Sequence, residues 1–320
     1  MNTTRRGIVQ LLKSAVTGEA CPLPEGFSLA EALPIINRHH LDTLAYQGAS
    51  NCGLNGMSPV MLELLRRYCA RLMYSEAQMA AIGRLLAVFE EKGIHYMPLK
   101  GTNMKARYPR PELRIMGDAD ILIRAEQYDS ICGILESMGY SYVMEGSHEY
   151  VWESGEVTLE LHHQLIPSRD QEYRAYFGDG WRLAAHRDGF RYAMAPEDEY
   201  IHLITHFAMH YLTGGIGCRH TLDLWVYRRC FPDMDEAYIR TQLSRLRLLE
   251  FHDHVCRLLK AWFEGGGEDD RTALMTDFIF YGRSWKSWLK HPSFRSDAAD
   301  RVGSYRQAMD YVGLDYHLGE

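Results

Sequence analysis

The 320-residue chain is 46% hydrophobic and 24% charged, a globular balance that excludes disordered and collagen-like readings. Its formal charge of -7 argues against a nucleic-acid binder that relies on a general basic surface, and no apolar run approaches the ~20 residues needed to span a bilayer. Seven cysteines, at 21, 52, 69, 132, 218, 230 and 256, form no C-x-x-C pair, which points to reduced thiols and a cytoplasmic location.

The opening MNTTRRGIVQLLKSAV lacks a signal-peptide core; Ile8, Leu11, Leu12 and Ala15 recur at helical spacing instead. Cys21-Pro22-Leu23-Pro24 breaks that helix. A second helix is expected over residues 27–40, with Ser28 as N-cap and Glu31 three residues on. Residues 51–56 read as loop. A long helix should start at Ser58-Pro59, where a first-turn proline has no N–H to lose. It carries Leu62, Leu65, Tyr68, Leu72, Met79, Ile82, Leu86 and Phe89 toward a core, and Gly93 ends it.

Residues 94–99 form a strand candidate leading into Lys100-Gly101-Thr102, with a short helix expected over 102–108. Pro109-Arg110-Pro111 forces an irregular connection. Next come Asp118-Ala119-Asp120 and the apolar Ile121-Leu122-Ile123. In a strand, residues two apart share a face, so Asp118 and Asp120 stand together, roughly 7 Å apart. Two carboxylates held that close repel unless a cation lies between them. Mg²⁺, or Mn²⁺, suits the position, because such ions take oxygen ligands and stay open to substrate phosphates. Glycine after a strand lets the backbone approach an anion, and the following helix offers free N–H groups. Lys100 and Arg114 are the nearest cations to a phosphate placed there.

Residues 124–138 read as a helix ended by Gly139, and residues 140–144 and 149–152 as a hairpin. The clearest strand runs over 157–165. Val157, Leu159, Leu161 and Leu165 alternate with Thr158, Glu160, His162 and Gln164, giving one apolar and one chemical face. Paired beside the Asp118–Asp120 strand, it would bring Glu160 in as a third carboxylate, with His162 one pleat away. Residues 167–190 are polar and turn-rich and read as a linker with short elements. From Pro196 the pattern is helical. His202, His206 and His210 lie on one stripe at i, i+4 and i+8, but without the H-E-x-x-H pattern they read as a packed or hydrogen-bonded stripe. Gly214-Gly215-Ile216-Gly217 is a turn before a helix holding Asp223. Further helices are expected over 235–249, 251–263 and 272–280, and a polar tail follows Lys290.

The strand, glycine turn, helix and D-x-D strand resemble the DNA polymerase beta-like nucleotidyltransferase superfamily, whose pattern adds a third acid on a later strand. More closely, LKGTNM, RIMGDADILI and LELHHQL are similar to an uncharacterised bacterial nucleotidyltransferase family with L-K-G, R-x-M-G-D-x-D and E-L-H signatures. Thr102 stands where the superfamily usually has Ser, and the spacing from Gly101 to Asp118 is longer than in its minimal members.

The resemblance implies an α+β fold: a small mixed-sheet nucleotidyltransferase lobe of four or five strands (residues 94–166), embedded between an N-terminal helical segment (1–93) and a C-terminal helical domain (167–320). It implies metal-dependent transfer of a nucleoside monophosphate from an NTP to an acceptor hydroxyl. Asp118, Asp120 and Glu160 would be the catalytic metal ligands, and Lys100, Gly101, Thr102 and Arg114 the nucleotide-binding residues. The acceptor stays open between small molecule and protein, the net charge arguing against nucleic acid. A catalytically silent nucleotide- or protein-binding member and a metal-dependent phosphohydrolase are the alternatives.

Overall fold

A computed structural model describes residues 1–54, 56, 58–155, 157–213, 215–281 and 307–314. Twelve α-helices with both ends described, a helical segment over 307–311 and seven strands occupy these residues. The first four helices are α1 (Thr3–Thr17), α2 (Leu29–Arg38), α3 (Asp42–Asn51) and α4 (Pro59–Lys92). Strand β1 (Tyr96–Pro98), helix α5 (Lys100–Lys105), strand β2 (Asp118–Ile123) and helix α6 (Tyr128–Ser137) follow. Strands β3 (Ser141–Glu145), β4 (Glu149–Ser154) and β5 (Val157–His162) lead to α7 (Gln171–Phe177), β6 (Ala184–Asp188) and β7 (Arg191–Met194). The remaining helices are α8 (Pro196–Thr213), α9 (Cys218–Cys230), α10 (Glu236–Arg245), α11 (Leu249–Phe263) and α12 (Asp270–Tyr281). No helix among the described residues is long and apolar enough to cross a membrane.

The chain divides into two compact units, residues 68–199 and residues 1–67 with 200–320. The boundaries expected at 93/94 and 166/167 both fall inside the first of these. The chain crosses between units within α4 and returns within α8.

Unit 68–199 is built on one mixed sheet of order β3-β4-β5-β2-β1-β7-β6. Its central pair, β2 and β5, is parallel, and β1 runs antiparallel to β2. Alternation along β2 and β5 sends Ala119, Ile121, Val157, Leu159 and Leu161 into a core with Ile82, Leu85 and Phe89 of α4 and Ile131 and Leu135 of α6. Burying each such aliphatic side chain contributes about 1.5–3 kcal/mol. The other face of the pair carries the acids. Gly93, at φ 71°, turns the chain out of α4 toward β1 as the sequence predicts.

Residues 94–166 hold five strands, within the four or five expected, and the sheet gains two more beyond them, β6 and β7. β6 and β7 form a hairpin, β7 pairs with β1 at Tyr96↔Arg191, and the Tyr96 N–H donates to the Phe190 carbonyl at 3.1 Å.

The described residues of unit 1–67 with 200–320 form helices and their connections. Ser28 caps α2 by accepting from the Glu31 N–H at 3.4 Å, but α2 is shorter than expected and α3 follows it separately. α3 packs on α1 at Gly48, where a Cβ would sit 2.1 Å from the Leu11 carbonyl oxygen. His206 and His210 hydrogen-bond each other through Nε2 atoms at 3.0 Å. Gly214 and most of the expected polar tail lie outside the described residues.

Candidate active site

Backbone pairing builds the site before any side chain is considered. The Leu99 N–H donates to the Asp120 carbonyl at 3.0 Å, which brings the chain out of β1 directly beside β2. There it turns into α5, with Lys100 at φ 35°, a left-handed conformation that costs a non-glycine residue about 1–3 kcal/mol. Asn103 secures the turn by donating to the Pro98 carbonyl at 2.8 Å and to Glu199 Oε1 at 3.1 Å. Gly101 is a close-approach position, since a Cβ there would meet Met116 Cγ at 3.1 Å and Arg114 Nη1 at 3.6 Å.

On the other side, β2 and β5 are in register with Asp118 opposite Thr158 and Asp120 opposite Glu160. Parallel neighbours in register share a face, so three carboxylates meet at one end of the central strand pair. β4 extends that face, with Glu153 opposite Thr158 and Glu149 opposite His162. An open hollow of about 530 Å³, lined among others by Ser141, Glu153 and Thr158, lies beside the register partner of Asp118.

Asp120 is the hub. Its Oδ1 accepts from Lys100 Nζ at 3.2 Å and lies 3.0 Å from His162 Nε2. His162 Nε2 also stands 3.5 Å from Glu160 Oε2, and the imidazole is fully buried. Burial alone would raise the Asp120 carboxyl, but Lys100 and His162 outweigh it and hold the group well below the usual carboxylate range. For His162, burial and the Lys100 charge pull downward, yet bonds to Asp120 and Glu160 win and raise it. Asp118 goes the other way. Although it is exposed, surrounding protein shields enough water to raise its carboxyl, and the Glu160 and Asp120 charges push in the same direction.

The structure places Lys100, Gly101, Arg114, Asp118, Asp120 and Glu160 around one end of the sheet. Their engagements differ from the expectation in two respects. Lys100 sits on Asp120, and the Thr102 hydroxyl contacts Met116 Sδ at 3.6 Å. Arg114 is buried beside Gly101, where its Nη1 donates to the Ile115 carbonyl at 2.8 Å. Three further residues were not assigned from sequence. His162 bridges Asp120 and Glu160, while His148 and Glu149 flank it from β4 and the loop before it. The strand alternation did put His162 on the right face; its partners depend on long-range pairing.

Among the described residues, two overlapping groups could hold a cation. The ligand atoms of Asp120, Glu160 and His162 lie within 4.8 Å of one another, as do those of His148, Glu149 and His162. The first set, two carboxylates and an imidazole with the Asp118 carboxylate next to them, is chemically suited to a divalent ion.

The sequence model of a family described as uncharacterised nucleotidyltransferase matches residues 26–264, about three quarters of the chain. No curated protein matches significantly. Among solved structures, the antibiotic-resistance factor ANT(2'')-Ia is similar at TM-score 0.41 and 16% identity, covering 56% of this chain and 98% of that one. The Megavirus polyadenylate synthase is similar at TM-score 0.31 and 10% identity, covering 93% of this chain and 58% of that one. The functional reading therefore rests on the site geometry and the family match.

Proposed function

Because the chain belongs to the uncharacterised nucleotidyltransferase family, we propose that it transfers a nucleoside monophosphate from an NTP to an acceptor hydroxyl, using Asp118, Asp120 and Glu160 with Mg²⁺ or Mn²⁺. The observation that carries this is the parallel register of β2 with β5, which sets Asp120 opposite Glu160 two residues from Asp118. Three acids at one strand end, beside a glycine turn with two cations, suit a reaction that asks for positioning and charge neutralisation.

Asp118 and Asp120 would hold the ion that offsets the nucleotide's phosphate charge when bound, with Glu160 beside it. Gly101 lets Met116 and Arg114 pack against the turn, and the Thr102 hydroxyl can donate to a phosphate placed there. Lys100 and Arg114 supply positive charge there. Glu160, held by His162, accepts the proton as the acceptor oxygen forms its bond to the α-phosphorus and the bond to pyrophosphate breaks. The acceptor class that fits best is a small-molecule or protein hydroxyl, given the net charge of -7. Seven free cysteines fit a reducing, cytoplasmic setting.

The Lys100–Asp120 pair and the Thr102–Met116 contact favour a second reading, a catalytically silent nucleotide binder. Both readings require Mg²⁺-NTP to bind. At a concentration 100-fold above its dissociation constant, the ligand should stabilise the fold by about 2.7 kcal/mol. The Asp118→Asn/Asp120→Asn double variant should lose most of that rise in Tm. An equal rise in the double variant would mean that these acids hold no metal-nucleotide.

A further inference from the structure

One strand out from the three carboxylates, a second set of metal-ligating side chains gathers. His148 ends the loop before β4, Glu149 is the first residue of β4, and His162 is the last of β5; Glu149 and His162 are register partners. Ligand atoms of the three lie within 4.8 Å of one another, and the His148 and His162 rings meet edge-on at 5.1 Å between centroids. The backbone beneath them is tied down. The His148 carbonyl accepts from the His163 N–H at 3.1 Å and the Gln164 N–H at 3.4 Å, and the Gly146 N–H donates to the Glu149 carbonyl at 2.8 Å. Ligands on such a junction are preorganised in a way that ligands on a free loop are not.

A further observation points to a cation. His162 Nδ1, on a fully buried imidazole, has no hydrogen-bond partner among the described residues, a condition that costs about 1–3 kcal/mol. Glu149 Oε2 pairs with His148 Nδ1, which also lies 3.2 Å from Ser147 Oγ, so a bound ion would replace that pair.

We propose that His148, Glu149 and His162 bind one divalent transition-metal ion of the zinc type, in a site separate from the carboxylate centre. Two imidazoles and one carboxylate form a borderline donor set that suits zinc and its neighbours better than the all-oxygen preference of Mg²⁺. Three protein ligands leave a fourth position for water. His162 would serve both sites: Nε2 stays on Asp120 and Nδ1 turns to the ion. A metal-bound histidine anchored through its other nitrogen by a carboxylate is a recurrent arrangement, because the carboxylate fixes the ring and strengthens the donor. The ion would pin the β3–β4 hairpin to β5 and hold His162 against Glu160. This inference stands independently of nucleotidyl transfer.

The test is Co²⁺ titration of the chelator-stripped full chain, read by visible absorbance, followed by displacement with Zn²⁺. One equivalent should bind with a four-coordinate spectrum. His148→Gln and Glu149→Gln should each weaken Zn²⁺ at least about tenfold, with folding checked by circular dichroism. His148→Cys keeps a zinc ligand, so it should retain binding and add a thiolate-to-cobalt charge-transfer band that puts residue 148 on the ion. Failure of the wild type to take up Co²⁺ would overturn the proposal. So would unchanged affinity and spectrum in His148→Gln and His148→Cys together with loss in Glu160→Gln, which would put the ion on Asp120, Glu160 and His162.

Discussion

Neutralising Asp118 and neutralising Asp120 should move the stability of the metal-free protein in opposite directions, although the two residues share one face of β2. Asp120 is buried, with Lys100 Nζ at 3.2 Å and His162 Nε2 at 3.0 Å on the same oxygen. At an effective dielectric of about 20, the Lys100 attraction alone amounts to about 5 kcal/mol before desolvation is subtracted. Asp120→Asn keeps the shape but strands a buried ammonium, and breaking such a pair costs about 3–5 kcal/mol. For a protein of this size that corresponds to a fall in Tm of about 5–7 °C. Asp118 carries the reverse balance, since its carboxyl is raised by partial shielding from water and by Glu160 and Asp120. A carboxyl raised in the folded state opposes folding at neutral pH. Asp118→Asn should therefore leave Tm unchanged or raise it. The assay is thermal unfolding at pH 7.5 with a chelator present. An Asp120→Asn variant as stable as wild type, or equal losses in both variants, would refute the electrostatic account of the site.

Three other outcomes follow from the packing. Gly48→Ala would force a Cβ to within 2.1 Å of the Leu11 carbonyl oxygen; backbone cannot step aside as a side chain can, so a loss of about 3 kcal/mol is expected, and a Tm within a degree of wild type would contradict it. The buried Lys105 ammonium donates to Ser75 Oγ at 2.7 Å and to the Arg114 and Pro111 carbonyls at 3.0 and 3.4 Å. Lys105→Met should cost about 3 kcal/mol in urea unfolding by orphaning those acceptors, whereas an unchanged midpoint would mean that the insert before β2 is held by other contacts. His252 is held down to about 4 chiefly by burial, against 6.5 in the unfolded chain, so the unfolded state binds more protons between these values. Its contribution is complete above pH 6.5 and falls by about 3 kcal/mol as pH drops toward 4. His252→Gln should lose stability less steeply over that window, and identical slopes for both proteins would contradict the assignment.

Much of the site was legible because it rests on local alternation. Asp118 and Asp120 flank a buried Ala119, and Glu160 and His162 flank a buried Leu161; period two fixes each set on one face without knowledge of the fold. Ser28 and Gly93 were legible for the same reason, since capping and left-handed turns depend on the nearest residues. β6 and β7 were not, because they form a short, largely exposed hairpin with no apolar alternation to mark it. α3 was hidden by Asp42, Thr43 and Gly48, which are buried in the packing but interrupt its apolar stripe. The pairing of Lys100 with Asp120, and of Glu149 with His162, depends on which strands become neighbours, and that is decided by contacts far apart in sequence.

The most direct test of nucleotidyl transfer is mass-resolved detection of a nucleoside monophosphate adduct. Wild type and Glu160→Gln would be incubated with each NTP, Mg²⁺ or Mn²⁺, and small-molecule or protein acceptors. The account predicts an adduct in the wild type, with pyrophosphate released. In Glu160→Gln, turnover should fall by about 10²-fold, the scale of a lost general base, while nucleotide affinity stays within a few-fold. Release of inorganic phosphate without any adduct, or equal turnover in Glu160→Gln, would contradict it.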